Sequence, residues 1–323
     1  MTPSEYFKIS SGPRGSENYI MSRTSLLMFF ENPWAWKNGK TIKSTASMEW
    51  GSLVDCLYLT PEEFEPTYKI RPAFYPSPTK ANPENMKPWN ANSNTCKAIL
   101  KEIKDSGKIP LMQRRLKSSD SLNVNYEDAR AAVAVLHADE NAKRVFGDTD
   151  KQRVCQWDHV CPVTGLTVKL KCMMDAVSRE YDYQADFKTT KDASIDAFRR
   201  SGLGFRYDIQ AAFYQWGHAE NYESKSNFIF VAQENTAPYA VSTMEMAPED
   251  YESGKTGHET KWKWYPGYED MLLFYCYCLS EDYWPSYLDP RAVRDFLQKK
   301  KHGNTKAKLK DMSTVVQSFR FID

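Results

Sequence analysis

The chain has 323 residues, of which 41% are hydrophobic and 26% charged, and its formal net charge is +1. This is the composition of an ordinary soluble globular protein, long enough for one large domain or two modest ones, and no global basic field announces a nucleic-acid partner. No run of about eighteen apolar residues occurs, so a membrane span is not expected.

The opening "MTPSEYFKIS" lacks the basic-then-apolar pattern of a signal peptide. Seven cysteines, an odd number thinly spread, suggest free thiols in a reducing cytoplasm. Cys276 and Cys278 form a CxC, no CxxC occurs, and five histidines give little material for a structural zinc site. In "MSRTSLLMFFENPWAWKNG" a short helix is predicted, capped by Ser22 and stopped at "NPW". A second runs from about Met48 to Leu59 and stops before Pro61. Residues 66–92 are rich in Pro, Asn and Ser and read as an irregular excursion. Helices are expected over 93–105 and 125–140.

The period then changes. Residues 152–160, 166–177 and 183–189 read as successive strands, followed by helices over 192–200 and 206–223. Strands "NFIFVAQ" and "YAVSTMEM" flank a turn, and a helix lies near 268–279. This order predicts an α/β domain with a mixed central sheet flanked by helices and decorated by insertions. Residues 1–290 form the main domain in this reading, with 66–128 as an irregular and helical insertion. Residues 291–323 form a basic C-terminal segment, a solvated helix and tail.

The segment "YDYQADFKTT" carries the chemistry. Asp186 and Lys188 share one strand face. If the hairpin turns between Glu180 and Tyr181, Asp175 stands directly opposite Asp186, with Cβ atoms roughly 5 Å apart. Two facing carboxylates repel, and a divalent cation between them removes the conflict. Oxygen donors alone favour Mg²⁺ or Mn²⁺. Asp55 interrupts an apolar helix, where a carboxylate is costly unless it is paired or metal-bound. Gln210 and Tyr214 lie four residues apart, on one helix face.

Taken in order, Asp175, Asp186–Lys188 and Gln210–Tyr214 resemble the PD-(D/E)XK nuclease superfamily, in its RecB-like branch with a downstream QxxxY. "SRTSLLMFFENPWAWK", "SMEWGSLVDCLYLTPEEFE" and "FIFVAQENTAPYAV" are similar to the phage and prophage RecE-type exonucleases, the exonuclease VIII group. The resemblance runs with gaps from about residue 20 to 287. It implies a restriction-endonuclease-like core, with Asp175, Asp186 and the Phe187 carbonyl as metal ligands and Lys188 as the catalytic lysine. Gln210 and Tyr214 would support the site. Asp55 stands where relatives often have His and reads as a substitute ligand; Ala185 stands where the superfamily name has proline.

The resemblance further implies a Mg²⁺-dependent 5′-to-3′ exonuclease of double-stranded DNA ends, with Mn²⁺ as a substitute. It would work as a homo-oligomeric ring beside a RecT-like single-strand annealing protein in phage-type recombination, in the cytoplasm of a bacterial or phage-infected cell. Some RecB-like nucleases hold an iron–sulfur cluster on one upstream and three C-terminal cysteines; with only the CxC near its end, this chain is expected to hold none. Ser22, Arg23 and Ser25, at a helix start, are candidates for a 5′ phosphate. Two alternatives stand beside this reading: an endonuclease of the same fold, and a non-catalytic DNA-binding protein built on it.

Overall fold

The computed structural model describes residues 12–114, 124–261, 263–287 and 289–303, with Tyr6, Ile9 and Leu309. Strand β1 (Ile20–Ser22) passes directly into helix α1 (Arg23–Glu31), because the Ser22 hydroxyl accepts the Ser25 N–H at 3.3 Å and caps the first turn. Helix α2 (Ala46–Leu59) begins at a Thr45 cap and ends before Pro61. Helices α3 (Tyr126–Ala138) and α4 (Glu140–Phe146) are capped by Asn125 and Asp139, at 2.9 Å and 2.8 Å.

Then come β2 (Thr149–Val160), β3 (Thr167–Ser178) and β4 (Tyr183–Thr190), helices α5 (Ile195–Phe205) and α6 (Tyr207–Tyr222), and β5 (Asn227–Glu234) and β6 (Val241–Glu245). Helices α7 (Pro248–Thr256), α8 (Tyr268–Glu281) and α9 (Pro290–Lys301) follow. The predicted mixed α/β architecture is present. Strand β1, a short helix Pro33–Lys37, helix α7 and a small hairpin of Gly257–Glu259 with Trp264–Pro266 are additional to it. The stretch expected to be irregular carries a hairpin of Phe74–Pro76 with Met86–Pro88 and the strand Tyr68–Ile70, which pairs in parallel with Ile109–Leu111. Among the described residues no helix is long and apolar enough to cross a membrane.

The main sheet has six strands. β2 runs antiparallel along one edge of β3 over almost its whole length. The other edge of β3 is shared. β1 pairs there in parallel at Lys169–Lys171, and β4 pairs antiparallel at Ala176 and Val177 only. β4 then leaves β3 and runs parallel to β5, which carries β6 antiparallel. Residues 172–175 of β3 therefore face an opening between the end of β1 and the body of β4.

Helices cover both faces. On one side α1, α6 and α8 bury Leu26, Phe29, Phe213 and Phe274 against Leu170 and Cys172. On the other, α2 and α3 bury Trp50, Leu53, Val54 and Leu136 against Phe187 and Val231. The alternation of β3 slips at the opening: Val168, Leu170, Cys172 and Met174 join the first core, Ala176 joins the second, and Val177 returns to the first.

Helix α9 lies in the segment expected to be a basic appendage. It buries Val293, Phe296 and Leu297 in the first core, and Lys301 meets Asp270 at 2.9 Å. Apart from Leu309, the chain beyond residue 303 lies outside the described residues.

Gly254 of α7 marks the closest helix approach to the start of α6. A Cβ there would stand 2.1 Å from the Asp208 carbonyl oxygen and 2.4 Å from its carbon. Backbone cannot rotate away as a side chain can. Gly254→Ala is therefore expected to destabilise the fold by about 3 kcal/mol, read as a lower urea midpoint with unchanged slope. An unchanged midpoint would mean that α7 docks more loosely than this contact requires.

Candidate active site

The opening in the sheet collects the charged residues. The observed register continues to Asp175 opposite Asp186, but instead of a ladder bond there the Asp175 Oδ2 accepts the Phe187 N–H at 2.9 Å. In a strand the N–H and C=O of one residue point to the same edge. The Phe187 carbonyl thus faces the opening too.

Asp186 is 3% exposed. Its Oδ1 accepts from Gln210 Nε2 at 2.6 Å, and its Oδ2 lies against the Lys188 ammonium. Gln210 reaches it from the first turns of α6. Tyr214, one turn further on, has its phenol pushed up by burial and by the nearby Tyr6, Cys172 and Asp186.

The electrostatics tie the remaining residues to this pair. Burial opposes the charge of Lys188, but Asp186 and Asp175 outweigh it and hold its pKa above the ordinary lysine value. Burial pushes the Asp175 carboxyl well up, and Asp186 and Asp55 push it further. Asp55, projecting from α2, is pushed up to about 7 by burial, with Lys188 opposing and Asp186 adding to the rise. Asp55, Asp175, Asp186 and Lys188 thus stand near enough, from α2, β3 and β4, to shift one another's protonation, and Gln210 of α6 is bonded to Asp186.

The helix-start candidates divide. Arg23 turns toward the site: its guanidinium donates to the Phe205 carbonyl and to the Arg206 carbonyl, the latter at 2.8 Å, and its Nε is buried without a partner. The Ser22 hydroxyl is used as the α1 cap. Ser25 corrects the expectation for a phosphate contact. It is 8% exposed, and its hydroxyl accepts Trp36 Nε1 at 2.8 Å and pairs with Tyr19 at 2.7 Å, so it belongs to the core.

Two residues of the site carried no sequence signal. Tyr207, three positions before Gln210, lays its ring 5.6 Å from Lys188 Nζ. Gln152 of β2 places Nε2 3.5 Å from Asp55 Oδ2.

A divalent metal suits this donor set in kind. The carboxylates of Asp55, Asp175 and Asp186 and the Phe187 carbonyl are all hard oxygen donors, and the mutual rise of the carboxyl pKa values marks a shortage of positive charge. As they stand, the carboxylates do not converge: among the described residues no three His, Cys, Asp or Glu side chains form a metal cluster. Asp186 is turned to Lys188 and Asp175 to the Phe187 N–H.

Residues 31–265 match the family described as a PDDEXK-like domain of unknown function (DUF3799). No curated protein sequence matches the chain. Among solved structures, a protein from Eubacterium rectale named a candidate exonuclease is 12% identical, over 100% of this chain and 96% of that one, with a TM-score of 0.49. The structure of SSO0001 is 15% identical over 48% of this chain and 66% of that one, with a TM-score of 0.26. The family match spans well over half of the sequence and contains Asp55, Asp175, Asp186, Lys188 and Gln210, so the chain belongs to the PDDEXK-like domain family.

Proposed function

We infer that the protein is a metal-dependent deoxyribonuclease that digests duplex DNA from a 5′ end. The observation that carries this reading is the joining of Asp175, Asp186 and Lys188, with Gln210 bonded to Asp186, at the place where β4 leaves β3. The 5′-to-3′ direction, the ring assembly and a RecT-like annealing partner in recombination rest on the resemblance to RecE-type exonucleases.

Mg²⁺ held by Asp55, Asp175, Asp186 and the Phe187 carbonyl would polarise the scissile phosphate and lower the pKa of a bound water. Gln210 fixes the Asp186 carboxylate through Oδ1, leaving Oδ2 to choose between Lys188 and a ligand. Lys188 keeps its proton against two carboxylates. It therefore acts as a cation that orients the attacking water and stabilises charge developing on the phosphate, rather than as a neutral base. In this reading Arg23, at the start of α1, would reach a phosphate one position away only by exchanging the Phe205 and Arg206 carbonyls for it.

The test is digestion of linear duplex DNA with Mg²⁺, each end labelled separately, beside a covalently closed circle. Release of the 5′ label as mononucleotide with an intact circle is expected. A nicked or linearised circle would assign an endonuclease instead. Absence of cleavage with Mg²⁺ and with Mn²⁺ would leave a DNA-binding protein without catalysis.

A further inference from the structure

The β2–β3 hairpin keeps one register from Thr149↔Ser178 to Val160↔Thr167, with a single interruption. Lys151 pairs with Ala176 and Arg153 with Met174, so the unpaired position sets Gln152 across from Asp175. Gln152 has φ of 51°, in the left-handed region that a side chain as long as glutamine seldom occupies. Such a residue persists only where its surroundings hold it, and the cost is on the order of 1 kcal/mol or more.

By strand alternation Gln152 belongs to the face of Gln156 and Asp158, which is also the face of their partners Lys171 and Lys169 and of Asp175. Gln156 and Asp158 are exposed, whereas Gln152, at the end of the opening, is buried to 4% exposure. There Nε2 lies 3.5 Å from Asp55 Oδ2, while Oε1 is buried with no hydrogen-bond partner. A buried amide oxygen left unpaired costs about 1–3 kcal/mol and calls for an explanation.

We propose that Gln152 is part of the metal centre: its Nε2 steadies Asp55, and its orphaned Oε1 is a neutral oxygen donor for the divalent ion held by Asp55, Asp175 and Asp186. The amide suits the position because it adds a donor without adding charge. Three carboxylates already repel one another there, and a fourth would deepen the conflict in the metal-free protein. Asp175 and Gln152 are cross-strand neighbours, so the one interruption in the hairpin places both at the same point.

The proposal rests on the nuclease reading, and its test separates the two. Mn²⁺ binding is measured by calorimetry at pH 8 on the full chain and on Asp186→Asn, Gln152→Met and Gln152→Glu. Asp186→Asn is expected to abolish binding, which tests the centre itself. Gln152→Met, similar in size but without the oxygen, is expected to weaken Mn²⁺ binding about tenfold, the low end of losses for residues supporting a metal ligand. Gln152→Glu should do the reverse: a lower melting temperature in EDTA than the parent, and tighter Mn²⁺ binding that restores it.

If Gln152→Met fails to fold, the glutamate variant alone decides. Parent-like Mn²⁺ affinity in the Gln152 variants, with Asp186→Asn inactive in binding, overturns the role of Gln152 and leaves the centre standing. Failure of the parent to bind Mn²⁺, or unchanged binding in Asp186→Asn, overturns both.

Discussion

Lys188→Ala should reduce digestion of duplex DNA by about 10³-fold while binding Mg²⁺ or Mn²⁺ at least as tightly as the parent. The two halves of this expectation come from the same geometry. Lys188 lies against Asp186 Oδ2, the oxygen that Gln210 leaves free. In the metal-free protein the ammonium therefore competes with a cation for that oxygen, and removing it frees a ligand. Turnover is another matter. With Asp186 holding a cation, the ammonium would be free for the phosphate and the water of the proposed reaction, and these neighbours would not replace it: Tyr207 offers a ring face at 5.6 Å, and Arg23 is committed to the carbonyls of Phe205 and Arg206.

Lys188→Arg should not restore the rate, because a planar guanidinium beside Asp186 makes a bidentate pair and does not let go as a point charge does. Single-turnover digestion with calorimetric metal titration checks both halves. Loss of metal affinity in Lys188→Ala would show that the lysine holds the site together rather than acting in the reaction, and this account of Lys188 would fail.

How much of this was legible in the sequence follows from what each residue depends on. Asp175, Asp186 and Lys188 could be placed because strand periodicity fixes which residues share a face, and one hairpin sets their register. The register itself was assumed in the sequence, which has no turn pair to fix it; the structure fixes it by pairing Ala176 with Ala185. Gln210 was visible as a polar residue one helical turn from Tyr214, but its bond to Asp186 depends on how α6 crosses the sheet.

Ser25 misled. A serine three residues beyond a cap reads as a polar group at a helix start, and only the packing of Trp36 and Tyr19 shows its hydroxyl to be consumed inside the core. β1 was missed because three residues carry no period; they form a strand only because β3 has a free edge there. Gln152 was missed for the opposite reason. Read as a strand residue it shares the face of Gln156 and Asp158, which are exposed, and only the approach of Asp55 from α2 shows that this end of the face is buried.

The metal-free protein should lose stability on going from pH 5 to pH 8 by a margin that Asp55→Asn abolishes. In the folded chain Asp55 holds its proton up to about 7, against an unfolded value near 3.9. Between these values the folded state binds more protons than the unfolded state, so the slope of unfolding free energy against pH is negative. The stabilising effect of the neutral carboxyl is thus complete below the unfolded pKa and gone above about pH 7, a difference on the order of 4 kcal/mol, of which roughly 3 kcal/mol falls between pH 5 and pH 8.

Asp175, also pushed up by burial and by its neighbours, acts in the same direction. His159 and His218 act in the other: burial lowers both, which favours the folded state as pH rises through their range. The quantity to read is therefore the difference between parent and Asp55→Asn in urea melts with EDTA at the two pH values. The variant should be the more stable protein at pH 8 and close to the parent at pH 5. Adding Mg²⁺ at pH 8 should raise the parent and leave the variant behind, because the burial that penalises the free carboxylate is what a bound cation relieves. Parallel pH profiles for the two proteins would place Asp55 in solvent rather than in the charged cluster, and would remove it from the set of metal ligands.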